Sequence, residues 1–200
     1  MAKLEQVATY YIRKWGKISK FDGIAKVVED FAPIMGTRKM PANFTLEFNH
    51  ISSRSKWLSL VCTKWACIYD TRVVYSINAL NYLAGGTFPI FPTPAGRNTK
   101  INLFDVTTLL LAPKIQSSDL SEPNELKAKY FVPEAQVYTA YLSLLTSVSD
   151  LLWSDQNRIH DVEGLLFSFA DTKLYFSVFK EIQSRAANQH DHKDMPGARC

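Results

Sequence analysis

Apolar positions along this chain recur mostly three and four residues apart, the period of one helical face. Leu4, Val7, Ala8, Tyr11 and Trp15 keep that period and predict an amphipathic helix over 4–15, ended or bent by Gly16. Ile24, Val27, Val28 and Phe31 predict a short helix over 22–31, closed by Pro33 and Gly36. Period-two alternation is confined to Phe44–Phe48, too brief to build a sheet, and 41–48 reads as a short helix begun by Pro41 or Asn43. Ser52 or Ser53 is placed to cap a helix reaching Cys62. Asp70 is placed to cap the next, which reaches Ala84 with Val73, Val74, Ile77, Leu80 and Leu83 as its apolar stripe.

Residues 85–102 hold three prolines, and glycines cluster there, so a long helix is excluded; the aromatics among them predict a loop that packs down. A helix is expected over 104–112, capped by Asn102 or Asp105, and 116–125 reads as polar and turn-rich. Pro133 suits the first turn of a long helix whose apolar face is Val137, Tyr141, Leu144, Leu145, Val148 and Leu151. Asp161 is placed to cap a helix carrying Val162, Leu165, Leu166 and Phe169, and a last helix runs over 173–185. The expected fold class is all-α: a compact multi-helix array, one helical domain over 1–187, followed by a polar, mobile tail over 188–200.

Charge adds an asymmetry. Residues 1–100 carry 14 Lys and Arg against 6 Asp and Glu, a net of +8; residues 101–200 carry 9 against 13, a net of −4. A one-sided positive field favours polyanions. The cysteines, Cys62, Cys67 and Cys200, are odd in number, and two lie in apolar runs, which suits small buried residues in a reducing compartment. No metal-ligand spacing appears among them, and the His190-Asp191-His192 run lacks further ligands. No apolar run reaches transmembrane length and the start has no signal core, so the expectation is a cytoplasmic protein away from membranes.

The candidate chemistry centres on Lys56 and Asp70. A short turn separates their two helical runs, so the second helix can fold back and bring the carboxylate near the amine. As a plain N-cap, Asp70 contributes about 1 kcal/mol. At a helix terminus it also stays ionised while facing a cavity, where it can stabilise an oxocarbenium-like sugar or take a proton. Lys56 lies in a first helical turn beside Arg54 and Trp57; helix end, neighbouring cation and burial all favour the neutral amine that a Schiff-base nucleophile needs.

Around the pair, Trp57, Trp65, Tyr69, Phe88 and Phe91 are aromatic, and an extruded base stacks on such side chains, with Trp57, Phe88 and Phe91 the favoured three. Arg38-Lys39, Arg54, Arg72 and Arg97-Asn98 are the expected contacts to a nucleic-acid backbone. No Ser/His/Asp nucleophile motif and no Gly-rich phosphate loop is present.

The pieces Ser-Arg-Ser-Lys-Trp-Leu ending at Leu58 and Ile-Tyr-Asp-Thr-Arg-Val ending at Val73 resemble the helix-hairpin-helix DNA glycosylase superfamily, in particular its prokaryotic members similar to 8-oxoguanine glycosylase. Pro-Ala-Gly-Arg-Asn ending at Asn98 and Asp-Val-Glu-Gly-Leu-Leu-Phe ending at Phe167 are similar to further pieces of that group. The resemblance implies a helical fold with a DNA cleft, base extrusion and glycosidic cleavage on double-stranded DNA, with no metal or organic cofactor. Lys56 matches the Schiff-base lysine and Asp70 the catalytic aspartate, so the implied enzyme is an N-glycosylase with lyase activity. His50-Ile51-Ser52-Ser53-Arg54 stands where the family carries Leu-Pro-Gly-Val-Gly. That difference keeps two other readings open: an inactive DNA-binding relative, and a helical protein-interaction module of a bacterial defence or regulatory system.

Overall fold

A computed structural model describes residues 1–95, 101–103, 105–115, 122–154 and 156–191. Helices account for the regular structure, and the described residues contain no strand, only an isolated parallel bridge between Ile90 and Phe131. The order is α1 (Ala2–Thr9), α2 (Ile24–Phe31), α3 (Ile51–Val61), α4 (Thr71–Leu83), α5 (Val106–Leu111), α6 (Pro123–Tyr130), α7 (Val137–Trp153), α8 (Ile159–Phe169) and α9 (Tyr175–Asp191). None of these is long and apolar enough to cross a membrane.

Helix α4 is the seam of the fold. One side of it, Val73, Val74 and Ile77, enters a core built with α1, α2, α3, α7 and α8 around Trp57, Leu58, Tyr69, Tyr138 and Tyr141. The other side, Tyr75, Ala79 and Tyr82, enters a second core with Ile90, Val106, Leu110, Leu174 and Val178. Nine residues of this helix are buried, so no solvent face survives on most of its length. Asp70 starts it by accepting the Arg72 and Val73 amides at 3.0 and 3.1 Å. Gly85 and Gly86 end it at φ 95° and 71°, where a side chain is disfavoured.

The loop after α4 packs down through two asparagines. Asn78 accepts the Phe91 amide at 3.0 Å and donates to the Phe91 carbonyl at 2.8 Å. One turn further on, Asn81 does the same to Phe88 at 3.2 and 2.9 Å. Each amide replaces a missing neighbouring strand and satisfies backbone that would otherwise be orphaned.

Several boundaries differ from the sequence expectation. Helix α1 passes at Tyr10 into a π-helical stretch that ends at Trp15, with the Gly16 amide bonded to the Tyr11 carbonyl five residues back. Residues 41–48 form turns and no helix. Neither Ser52 nor Ser53 caps α3; the cap position is His50 in the left-handed region at φ 59°, and Ser53 is core. Pro133 lies in a turn, its carbonyl accepting the Gln136 amide, and α7 starts at Val137. Asp161 lies inside the first turn of α8, paired with Arg158 at 2.6 Å, and Arg158 holds the cap position. Helix α6 occupies part of the stretch read as turn-rich, because its polar sequence carries no apolar stripe. Helix α9 continues to Asp191, past the expected start of the tail, whose residues 192–200 lie outside the described residues.

Candidate active site

A cleft of about 1000 Å³ opens between the chain that follows α1, the start of α3, the start of α4 and one face of α8. Lys56 and Asp70 both line it, with the amine 4.0 Å from the carboxylate. Their side chains are 8% and 19% exposed, so the pair is largely withdrawn from water while still facing the cleft.

The position of Asp70 is set by the extended segment before it, which is bonded from three directions. Tyr138 and Tyr141 of α7 donate their hydroxyls to the carbonyls of Cys67 and Ile68 at 2.7 and 2.9 Å. Glu163 of α8 accepts the Ile68 amide at 2.7 Å, and Ser55 of α3 accepts the Tyr69 amide at 3.0 Å. A segment with its backbone groups bonded from α3, α7 and α8 has little freedom left, and the aspartate it carries inherits that rigidity. The Tyr69 ring is buried behind it and bonds the Pro92 carbonyl at 2.7 Å.

Lys56 is held by packing as much as by polar contacts. Its amine reaches the Ser52 carbonyl at 3.5 Å, one turn back. Gly16 makes room for it: a Cβ at that position would lie 2.8 Å from Lys56 Cδ and 2.7 Å from the Ile12 carbonyl. Burial lowers the lysine's pKa, and the negative charges of Asp70 and Glu163 pull it partly back. The result is an amine easier to deprotonate than a surface lysine, with a carboxylate alongside to accept the proton. Ser52 also lines the cleft, and its buried hydroxyl has no partner among the described residues.

The other expected contacts divide. Arg72 lines the cleft, bonded to Asp171 at 2.9 Å and stacked 4.7 Å over the Phe167 ring. Arg54 does not reach it; the guanidinium is turned away into ion pairs with Asp30 at 2.9 Å and Glu47 at 3.0 Å. Arg54 and Lys56 are two residues apart within α3 and point to different faces of it. Arg38 and Lys39 are exposed away from the cleft lining. Arg97 and Asn98 fall outside the described residues. The aromatic expectation is corrected in place: Trp57 is 1% exposed and Phe91 8%, both packed in the core, while Phe88 is exposed outside the cleft lining.

The cleft supplies its own aromatics, Trp15, Phe21 and Phe167, with His50 beside them. Trp15 is half exposed and lies flat on Tyr11, ring centroids 4.5 Å apart. Lys17 and Lys20 stand exposed along the same edge, Lys17 with a left-handed backbone at φ 54°. With Lys56 and Arg72 they make four cations, against Asp70, Glu163 and Asp171. The Trp-Gly-Lys-Ile-Ser-Lys run after a helical period was visible as a basic-aromatic stretch, although nothing local ties it to Lys56.

On the α8 side of the cleft, Cys67, His160 and Glu163 converge: the thiol lies 3.5 Å from the imidazole Nδ1, which lies 3.6 Å from the Glu163 carboxylate. Burial and the nearby Glu163 charge push the thiol's pKa up, and Glu163 raises that of His160. No protein-family model matches the chain, and neither does any curated protein or solved structure.

Proposed function

We propose that this protein is a DNA glycosylase with lyase activity, acting on a damaged or modified base in duplex DNA. One observation carries the reading: a desolvated lysine amine and an aspartate carboxylate 4.0 Å apart in a cleft of about 1000 Å³, a volume that accepts a flipped nucleotide. The neutral Lys56 amine attacks C1′ of the extruded nucleotide. The Nζ–C1′ bond forms as the glycosidic bond breaks, the base leaves with the bonding pair and picks up a proton, and Asp70 takes the proton shed by Nζ. Asp70 also faces the positive charge that develops on the sugar. Asp70 returns that proton to O4′ as the C1′–O4′ bond breaks, giving an iminium; the Asp70 carboxylate then takes a C2′ proton, and the C3′–O bond breaks with the phosphate leaving as the anion.

In this reading the half-exposed Trp15 stacks on the extruded base, and Lys17, Lys20 and Arg72 meet phosphates at the cleft edge. The basic half of the chain, which contains all of these residues, supplies the long-range attraction. Borohydride trapping on a duplex panel with abasic, oxidised and alkylated sites tests the reading. The wild-type chain forms a covalent adduct with at least one duplex, and Lys56→Gln forms none. No adduct with any of them, together with strand cleavage unchanged in Lys56→Gln, removes the mechanism.

A further inference from the structure

We propose that Cys67, His160 and Glu163 form a binding site for a zinc-class divalent metal ion, tying the segment before α4 to the first turns of α8. It stands apart from the glycosylase reading: Cys67 and His160 have no role there, and Glu163 enters it only through its bond to the Ile68 amide and its charge near Lys56. The three donor atoms lie within 4.8 Å of one another. In a tetrahedral zinc site with Zn–S of about 2.3 Å and Zn–N of about 2.0–2.1 Å, sulfur and nitrogen ligands stand about 3.5 Å apart. The observed separation of Cys67 Sγ and His160 Nδ1 is 3.5 Å, and His160 Nδ1 to Glu163 Oε2 is 3.6 Å. Two of the three ligand separations already suit a coordinated arrangement, and the sulfur and carboxylate lie within 4.8 Å of each other.

The surrounding bonds orient each ligand as a metal site requires. His160 Nε2 lies 2.9 Å from the Thr63 carbonyl, which can only accept, so Nε2 carries the hydrogen and Nδ1 is the nitrogen turned to the thiol. Glu163 spends Oε1 on the Ile68 amide at 2.7 Å, which fixes the carboxylate and leaves Oε2 towards the imidazole. Cys67 is fully buried, but His160 and Glu163 line the cleft and give an ion its route in. One sulfur, one nitrogen and one oxygen donor suit zinc, cobalt(II) or iron(II), and disfavour magnesium and calcium, which take oxygen ligands. Three protein ligands leave a position for water. On binding, Cys67 releases its thiol proton to solvent and coordinates as thiolate.

The test is titration of the metal-stripped full chain at pH 7.5 with cobalt(II), then displacement by zinc. The expected result is one equivalent bound at about 10 µM or tighter, with a thiolate-to-cobalt charge-transfer band that zinc abolishes. His160→Gln, whose amide can still donate to the Thr63 carbonyl, weakens binding at least tenfold without loss of helicity by circular dichroism. Cys67→Ser removes the band. His190→Gln with His192→Gln leaves binding unchanged. Binding weaker than about 100 µM, no charge-transfer band, or full affinity in His160→Gln overturns the site.

Discussion

The two walls of the cleft are built in opposite ways. The wall that carries Asp70 is strapped: Tyr138, Tyr141, Glu163 and Ser55 bond successive backbone groups of residues 67–69, and the aspartate then locks itself onto the first turn of α4. The wall that carries Trp15, Lys17 and Lys20 is the end of a π-helical stretch and the short connection after it, with both lysines exposed and Lys17 in a left-handed conformation. Groups that attack or stabilise a reacting carbon must be held to a fraction of an ångström. Groups that meet a flexible polyanion gain from reach and charge, and need less order. Lys56 sits where the walls meet, anchored on α3 but packed against Gly16 of the looser wall.

The comparison is broken most severely at Lys56. Lys56→Met is expected to abolish the borohydride adduct while raising the urea midpoint near neutral pH, since a buried cation is replaced by an apolar chain of similar length. The sign follows from the lowered pKa: between that value and the ordinary lysine value the unfolded chain binds the proton better, so wild-type stability climbs with pH through that window. Lys56→Met flattens the climb. The rate of adduct formation in the wild type should rise with pH to a plateau at a pH below the ordinary lysine pKa. A midpoint at the ordinary value would show an amine that is not desolvated.

Asp70→Asn comes next. It keeps a capping oxygen for Arg72 and Val73 but removes the charge, so single-turnover rates should fall by about 10²–10⁴-fold with helicity intact. Equal rates would reduce Asp70 to a cap. Gly16→Ala drives a methyl into Lys56 Cδ and the Ile12 carbonyl and should cost about 1–3 kcal/mol together with a slower adduct; full activity would show that the lysine does not depend on that glycine.

Tyr141→Phe leaves the half-buried Ile68 carbonyl without its donor and should cost about 1–3 kcal/mol by urea denaturation. A loss under about 0.5 kcal/mol would mean the strapped wall is no stiffer than the other. Lys17→Ala and Lys20→Ala should be the mildest: stability within about 0.5 kcal/mol of wild type, DNA affinity reduced several-fold, and the salt slope shallower by about 1 for each lysine that touches a phosphate. An unchanged slope would place the DNA path elsewhere.

Much of the helical order was legible because it is local. Asp70 before an apolar stripe announces α4, and the face from Val137 to Leu151 announces α7. The meeting of Lys56 and Asp70 was legible as well, since a short connection forces adjacent helices together. What escaped depends on long-range packing. Trp57 and Lys56 are neighbours in sequence, but a helix turns about 100° per residue, so when one faces the cleft the other enters the core. Arg54 looked available until Asp30 and Glu47, from distant positions, closed on it. Cys67 and His160 stand 93 residues apart, and no spacing rule could join them. Helix α6 lacks an apolar face and showed only polarity.

Because α4 contributes side chains to both apolar clusters, neither half of the molecule can open without exposing it. Amide protons along Thr71–Leu83 should therefore exchange with solvent deuterium only through the rarest, whole-molecule openings. Any molecule that tightens its grip on the Asp70 end would be felt as slowed exchange around Tyr82 and Leu110, on the far side of the shared rod.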